Sequence, residues 1–495
     1  MKIKAFSISL IYLGAAYSFS ATTPTSRSHY PRLFATTYNP SSTRYEISST
    51  HINSAIDILE EQHYNKQDVP IDSILRKYIK QYSNELQYDS DEKEMVREMI
   101  LGVARYQYRI DYKLNEMGID CTPENRVLAY ITAKQHKDRD TAYNEQVVRK
   151  LIKANKWLHK FKGIELDEDD TIDIQTRLEC PDWAWQGLNE AYPTTDELIH
   201  QLKGLLQSPP LDLRVNTLKC NRDEALKSIQ NAGLDAYETP WSPLGIRLDN
   251  RVPLGMIPGL LEGKVEPQDE GSQLVAALLN AQPAETIADY CAGTGGKTLA
   301  IAAQMKNKGR LYSLDVNEDR LERGRPRCVK AGVDNVQRQT VQADMTRKDM
   351  WCKRRNKSLD RVLVDAPCSG VGSWRRKPDA RRTWGVDEQG ISRLKELLPL
   401  QQHILRRAAR LVKPGGRLVY VTCSLLPEEN EHQIEAFLQC EEGEANGWRI
   451  DSPEDFVVPF NAGKGQYLRL TPANHNTDGF FACVLKRERI ESSSR

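Results

Sequence analysis

This chain of 495 residues lacks several features that would assign it to a class at once. It has no apolar run of the roughly 20 residues that a membrane-spanning helix needs, so no stable membrane association is expected. Its ten cysteines include no CxxC pair, which argues against a zinc ribbon or finger, and no metal site is expected. The irregular cysteine spacing in so long a chain also disfavours a disulfide scaffold, so the thiols are expected to be reduced. Net charge is nearly absent as well. The 69 Lys and Arg face 68 Asp and Glu, for a total of +1, a balance that taken whole argues against a basic nucleic-acid binder. With 39% hydrophobic and 28% charged residues the chain is globular, and its length suggests about three domains of roughly 150 residues.

The neutral total conceals a segregation. Residues 46–180 and 181–270 each carry a net −6, whereas residues 271–435 hold 29 basic and 19 acidic groups, net +10. RNA attraction is therefore expected around whatever cleft this block builds. Residues 1–45 hold five basic groups and no acid, and are rich in Ser and Thr. Lys2 and Lys4 precede an apolar stretch, Ala5 to Ala16, and a small-x-small pattern at Ala16 and Ser18. Residues 1–48 therefore read as a presequence of the two-part plastid kind, with a mitochondrial presequence or a disordered tail as alternatives. The expected location is an organelle, plastid or mitochondrion, with the cytoplasm or nucleus as the alternative.

From Ile52 to Lys162 the apolar residues recur at helical spacing, as in Ile71, Ile74, Leu75 and Ile79, and strand signals are absent. An all-helical domain is expected over 50–165, ending in an acidic linker, Glu165 to Asp170. Residues 180–270 read as a small α+β module. LRVNTL (213–218), AYETPW and GIRLD read as strands, and RDEALKSIQNAG (222–233) as a helix. Residues 271–490 alternate strand and helix, which predicts a doubly wound α/β sheet with ligands at the carboxyl ends of its strands.

The first strand of that sheet, ETIADY, runs into CAGTGGK, residues 291–297. A P-loop would need glycine at 291, which is Cys, and a GxGxxG loop would need one at 298, which is Thr. What remains is a tight turn of Cys291, Ala292, Gly293, Thr294, Gly295, Gly296 and Lys297 that lets backbone approach a ligand closely. Asp315 ends the second strand, where an acid binds a ribose hydroxyl pair, and Asp344 ends the third, where it would hold an adenine edge. These parts suit a nucleoside cofactor without pyrophosphate, S-adenosyl-L-methionine. Cys368 in DAPCSG and Cys423 in TCS each stand just past a predicted apolar strand, so both thiols should face one cleft. WRRKPDARR (374–382) supplies Arg375, Arg376, Lys377, Arg381 and Arg382 beside them. This segment reads as a set of phosphate contacts.

The motifs DYCAGTGGKT, QDEGSQL, DAPCSGVGSWRRKPDARRTW and VYVTCSLLPEENE resemble the Sun/RsmB-type family of RNA 5-methylcytosine methyltransferases. LRVNTLK, with Arg214 and Asn216, resembles the RNA-binding module that precedes the catalytic domain there. EMVREMILGVARYQYRIDYKLN looks like a NusB-like N-terminal domain. The resemblance spans roughly residues 50–487. One departure is Thr294-Gly295, where many relatives have Ala-Pro or Ala-Gly. The resemblance implies that Cys423 is the nucleophile and that Cys368 assists product release. It also suggests that Asp365, grouped with the cofactor acids, holds the cytosine edge, and that Lys297 assists electrostatically. The implied partner is RNA, with rRNA ahead of tRNA because of the NusB-like domain, and the chain is expected to act as a monomer. A ribosome-assembly factor without turnover is the alternative of another class.

Overall fold

The computed structural model describes residues 49–489 apart from 66–68, 83–85, 87, 135–144, 162–171, 250–251, 343–348, 384–387 and 452–465. The expected presequence, the acidic linker and Asp344 lie outside the described residues.

The N-terminal part is helical, as its periodicity requires. Helices Ser49–Glu60, Ile71–Gln81, Ser90–Arg105, Gln107–Glu116 and Pro123–Lys134 turn their apolar stripes inward. Ile58, Ile71, Ile74, Met99, Ile100, Ile110, Val127 and Ile131 share one core. Removing these side chains from water is the main force holding the bundle together.

The small module is a four-stranded antiparallel sheet of β1 (Leu211–Val215), β2 (Tyr237–Glu238), β3 (Gly245–Leu248) and β4 (Val265–Pro267), in the order β2-β3-β1-β4. Helix Arg222–Asn231 packs on it, started by a capping box in which Asn221 and Glu224 satisfy each other's free amides. The expected strand LRVNTL stops at Val215. There Asn216 turns the chain by accepting from the amide of Leu218 at 3.2 Å. The strand expected over AYETPW shrinks to two residues, and β4 carried no recognised signal.

The third part is an eight-stranded sheet. It comprises β5 (Thr286–Tyr290), β6 (Arg310–Asp315), β7 (Val336–Thr340), β8 (Leu359–Asp365), β9 (Val412–Thr422), β10 (Trp448–Ile450), β11 (Tyr467–Leu470) and β12 (Phe480–Arg487). The order is β10-β12-β9-β8-β5-β6-β7, with β11 on β12; β5 to β9 are parallel and β12 runs against β9. The chain winds outward on both sides of β5, which opens a crevice at the carboxyl ends of β5, β6 and β8. The expected KPGG turn lies inside β9 as a bulge around Gly415, whose φ of 80° suits glycine.

The segment WRRKPDARR is a junction, and the phosphate contacts expected from it are not where these side chains go. Arg375 is fully buried and bonds Asp478 at 2.8 Å, Asp269 at 3.2 Å and Asn476 at 3.1 Å. Arg376 bonds the same two carboxylates at 2.8 and 3.1 Å. Arg381 is buried against Trp374 and donates to the carbonyl of Leu205 at 3.0 Å. Burial lowers its pKa to about 10, against the opposing pull of Glu179. Arg382 lies over the Tyr108 ring of the helical domain at 4.8 Å. From that domain Arg105 donates to the carbonyls of Leu206, Gln207 and Arg375 at 2.8, 2.7 and 3.1 Å. Arg214 and Asn216 are likewise buried. Arg214 donates to the carbonyl of Gly296 at 3.0 Å, and Asn216 to those of Gly263 and Ala331 at 2.9 and 2.8 Å. Both tie the small module to the large sheet. A charge removed from water must find partners inside the protein, and each of these side chains has at least one, although Nε and Nη1 of Arg381 and Nε of Arg214 have no hydrogen-bond partner among the described residues.

Arg375→Ala would leave Asp269 and Asp478 facing each other with one of their two shared cations removed and only Arg376 remaining. It is expected to lower unfolding stability by about 3–5 kcal/mol, read by denaturant titration. A loss under about 1 kcal/mol, the scale of an exposed ion pair, would contradict this role.

Candidate functional site

The turn after β5 is built from left-handed backbone. Cys291, Gly293 and Gly295 have φ values of 69°, 57° and 84°. The turn is pinned to β6 by the amide of Ala292 on the carbonyl of Leu314 at 2.8 Å. The amide of Gly293 donates to Asp315 at 2.9 Å, and that of Asn317 donates to its other carboxylate oxygen at 2.8 Å. Asp315 is thus fixed at the strand end by two amides. A Cβ added to Gly293 would meet open space, so the turn is a cradle lined by backbone. Beside it runs a narrow cleft lined by Cys291, Asp315, Val316, Val341, Leu400 and His403. An acid next to an apolar slot fits the ribose and base of an adenosyl group. Asp344 falls outside the described residues, so its part in this cleft stays an expectation.

Behind the turn, Asp289 is fully buried on β5 and accepts from the Thr298 hydroxyl at 2.6 Å. Burial raises its pKa to about 7, the Thr298 bond opposing and the nearby Asp365 adding to the rise. Lys297 bonds Asp365 at the end of β8 at 2.7 Å, and its ammonium lies over the Phe480 ring at 5.5 Å. Burial works against the Lys297 charge, but the Asp365 carboxylate outweighs it and holds the pKa above the ordinary value.

The two cysteines expected to share a cleft do so. Cys368 follows β8, Cys423 follows β9, and their sulfurs are 3.2 Å apart. The amide of Cys423 also donates to the Cys368 sulfur at 3.3 Å. The hydrogen bond with Cys423, then burial, raise the Cys368 pKa well above that of a free thiol. Lys377, expected to contact phosphate, feels the charge of this site. Burial lowers its pKa, and the Cys423 sulfur is the foremost group acting against that.

A polar network beneath the thiols went unread in the sequence. Glu429 is fully buried and accepts from the amide and hydroxyl of Ser369, the former at 2.7 Å, and from Gln401 at 3.0 Å. The hydroxyls of Ser369 and Ser424 are 3.3 Å apart, and Asn430 donates to the carbonyl of Ser424 at 3.1 Å. The residue after each cysteine is therefore held by the same short acidic segment. Its only sequence signal was two acids and an amide, PEEN, directly after a cysteine-bearing strand end.

A family model described as 16S rRNA methyltransferase RsmB/F matches residues 276–486, and one described as an RsmF/B-like ferredoxin-like domain matches residues 180–255. The probable ribosomal RNA small subunit methyltransferase B of Synechocystis sp. is 32% identical over 448 residues, 85% of this chain and 95% of that protein. The chain belongs to the RsmB/F methyltransferase family. Ribosomal RNA small subunit methyltransferase B of Salmonella newport is 33% identical over 369 residues, 70% of this chain and 82% of that protein. Among solved structures, PH0851 aligns with a TM-score of 0.69 at 24% identity, covering 90% of this chain and all of that one. A methyltransferase homolog from Pyrococcus horikoshii aligns at 0.53 and 26% identity, covering 65% of this chain and 99% of that one. NSun6 from the same organism, solved with the S-adenosylmethionine analogue SFG, aligns at 0.51 and 20% identity, covering 62% of this chain and 98% of that one. The RsmB/F fold is thus a Rossmann-like methyltransferase domain preceded by helical parts, and its cofactor is S-adenosyl-L-methionine. No helix of the described residues is long and apolar enough to cross a membrane.

Because Asp289 ionises later in the fold than in the unfolded chain, its contribution is full below its unfolded pKa of 3.8 and fades as pH rises through about 7. Wild-type stability is expected to fall over that window by on the order of 2–4 kcal/mol relative to Asp289→Asn, read from denaturant midpoints at pH 4 and 7.5. Parallel pH profiles for the two proteins would refute the buried-acid assignment.

Proposed function

We propose that this chain transfers a methyl group from S-adenosyl-L-methionine to carbon 5 of a cytosine in small-subunit ribosomal RNA, through a covalent bond between Cys423 and carbon 6 of that base. The observation that carries the reading is the pair of thiols 3.2 Å apart at adjacent strand ends, one of them held as a thiol. The named small-subunit relatives support the choice of RNA.

Carbon 5 of cytosine is too weak a nucleophile to take a methyl group unaided. Attack by the Cys423 sulfur on carbon 6 forms a C–S bond and moves the C5–C6 double-bond electrons into the ring, making carbon 5 nucleophilic. The cofactor supplies an electrophilic methyl group on sulfur. Asp365, held in place by Lys297, is suited to bond the cytosine edge and stabilise a proton on nitrogen 3. Transfer of the proton from carbon 5 to a water molecule then restores the double bond as the C–S bond breaks and the electron pair returns to Cys423. The Cys368 S–H, a hydrogen-bond partner already in contact, stabilises that departing sulfur. Entry into so enclosed a site requires the target base to leave its stack.

Cys423→Ala is expected to abolish methyl transfer, and Cys368→Ala to accumulate an RNA–protein adduct that survives denaturing electrophoresis. Bisulfite sequencing of rRNA and tRNA with and without the gene would then locate the cytosine. Conversion changes confined to tRNA would move the substrate there. Absence of both adduct and methyl transfer would leave the non-catalytic assembly role.

A further inference from the structure

We propose that the amino-end rim of the catalytic sheet, opposite the cysteine cleft, is a second RNA-contact surface that takes phosphodiester backbone. The inference rests on the reading that the substrate is RNA, and extends it to how a large RNA is held.

The net +10 of residues 271–435 led to the expectation that RNA attraction centres on the catalytic cleft. The structure places those charges differently. Arg375, Arg376, Arg381 and Lys297 are engaged with internal partners. Arg327 likewise bonds Glu266 at 2.7 Å and the carbonyl of Thr294 at 2.9 Å.

Arg323, Arg325 and Lys395 are exposed on helices, but a larger group of exposed cations of the block gathers at the other end of the strands. Lys306 and Lys308 stand on the turn before β6, Lys353 and Arg354 on the short helix Met350–Arg354, and Lys357 on the turn before β8. None of these five side chains has a hydrogen-bond or ion-pair partner among the described residues, and all are exposed. Among the described residues the side chain of Arg310, exposed at the first position of β6, bonds only the neutral hydroxyl of Tyr312, at 3.4 Å.

Backbone contacts make the rim continuous. The carbonyl of Lys308 accepts from Ala284 at 3.1 Å, the amide of Arg310 donates to Glu285 at 2.9 Å, and the amide of Lys357 donates to Arg410 at 2.8 Å. Arg355 closes the gap by stacking on Trp351 at 4.2 Å and on Tyr312 of β6 at 4.9 Å. The carboxylates within the rim are already occupied. Glu285 takes Arg361 at 2.7 Å and the amide of Gln282 at 2.8 Å. Asp360 takes Lys413 and the amide of Thr286. Asp334 is exposed just before β7.

A surface of unpaired Lys and Arg with its acids neutralised matches the phosphate backbone, which is read by charge and without regard to sequence. Strands of this length put the rim about 20 Å from the reactive sulfurs, so it would hold a different stretch of RNA from the one that donates the target base.

The test compares the full chain with a five-site reversal, K306E/K308E/K353E/R354E/K357E, in binding to unmethylated small-subunit rRNA across a salt series. A control reverses five exposed lysines elsewhere, K150E/K153E/K160E/K203E/K227E. The rim variant is expected to bind at least about 10-fold more weakly at low salt, with a log–log salt slope shallower by about 3, while the control changes far less. S-adenosyl-L-methionine affinity, measured by calorimetry, should stay at the wild-type value. Should it fall, the five glutamine substitutions at the same rim positions replace the reversals in the comparison. Equal affinity and slope in rim variant and wild type would overturn the proposal, as would an equal loss in the control. A wild type that binds rRNA in this salt-dependent way but methylates none would count against the proposed reaction and leave the rim assignment standing.

Discussion

The buried cluster of Arg375 with Asp269 and Asp478 is the constraint on which the rest of the arrangement depends. A guanidinium with no exposure is tolerated only where carboxylates meet it, and here the two come from positions 269 and 478, far apart in the chain. Asp269 also caps the helix Glu270–Ala277, which leads from β4 into the large sheet. Its partner Asp478 lies just before β12. The loop after β8 is thereby clamped between the beginning and the end of the catalytic domain. The clamp tightens at Gly372, whose carbonyl accepts from Gly479 at 2.8 Å; a Cβ there would stand 2.3 Å from the Gly479 oxygen. Because Cys368 sits on this loop, the placement of its sulfur beside that of Cys423 is inherited from this junction.

Two kinds of force then divide the site. The strands arrive by hydrophobic burial: Val362, Leu363, Val364, Val419, Tyr420 and Val421 are wholly removed from water, which is what a parallel strand covered on both faces needs. The thiols at their ends are set by polar bonds instead. Glu429, Asn430, Ser369, Ser424 and Gln401 form a dry network in which the residue following each cysteine is held. Apolar packing brings two strand ends within reach of each other, but directional hydrogen bonds decide the ångström-scale position of a sulfur.

Much of this was legible in the chain itself. The doubly wound sheet showed in its apolar runs and in the glycine turn at 291–296. The helical domain showed in its periodicity, and Cys368 and Cys423 in their matching places at strand ends. Short strands escaped notice: β4, β10 and β11 carry three or four residues each, too few to establish a period of two. The assignment of Arg214, Asn216, Arg375 and Arg381 to RNA failed for a related reason. A polar or basic side chain looks alike in a sequence whether it faces solvent or carboxylates and carbonyls distant in the chain.

Local order along the chain therefore determined the fold class, the glycine turn after the first strand of the large sheet and the two cysteines at strand ends. Periodicity and turn chemistry act between near neighbours, and the sequence displays them. Only the tertiary structure decided which charges are paired and which remain free for a partner. A charge's partner is fixed by where distant segments meet, and burial, which makes that pairing obligatory, is a property of the assembled fold.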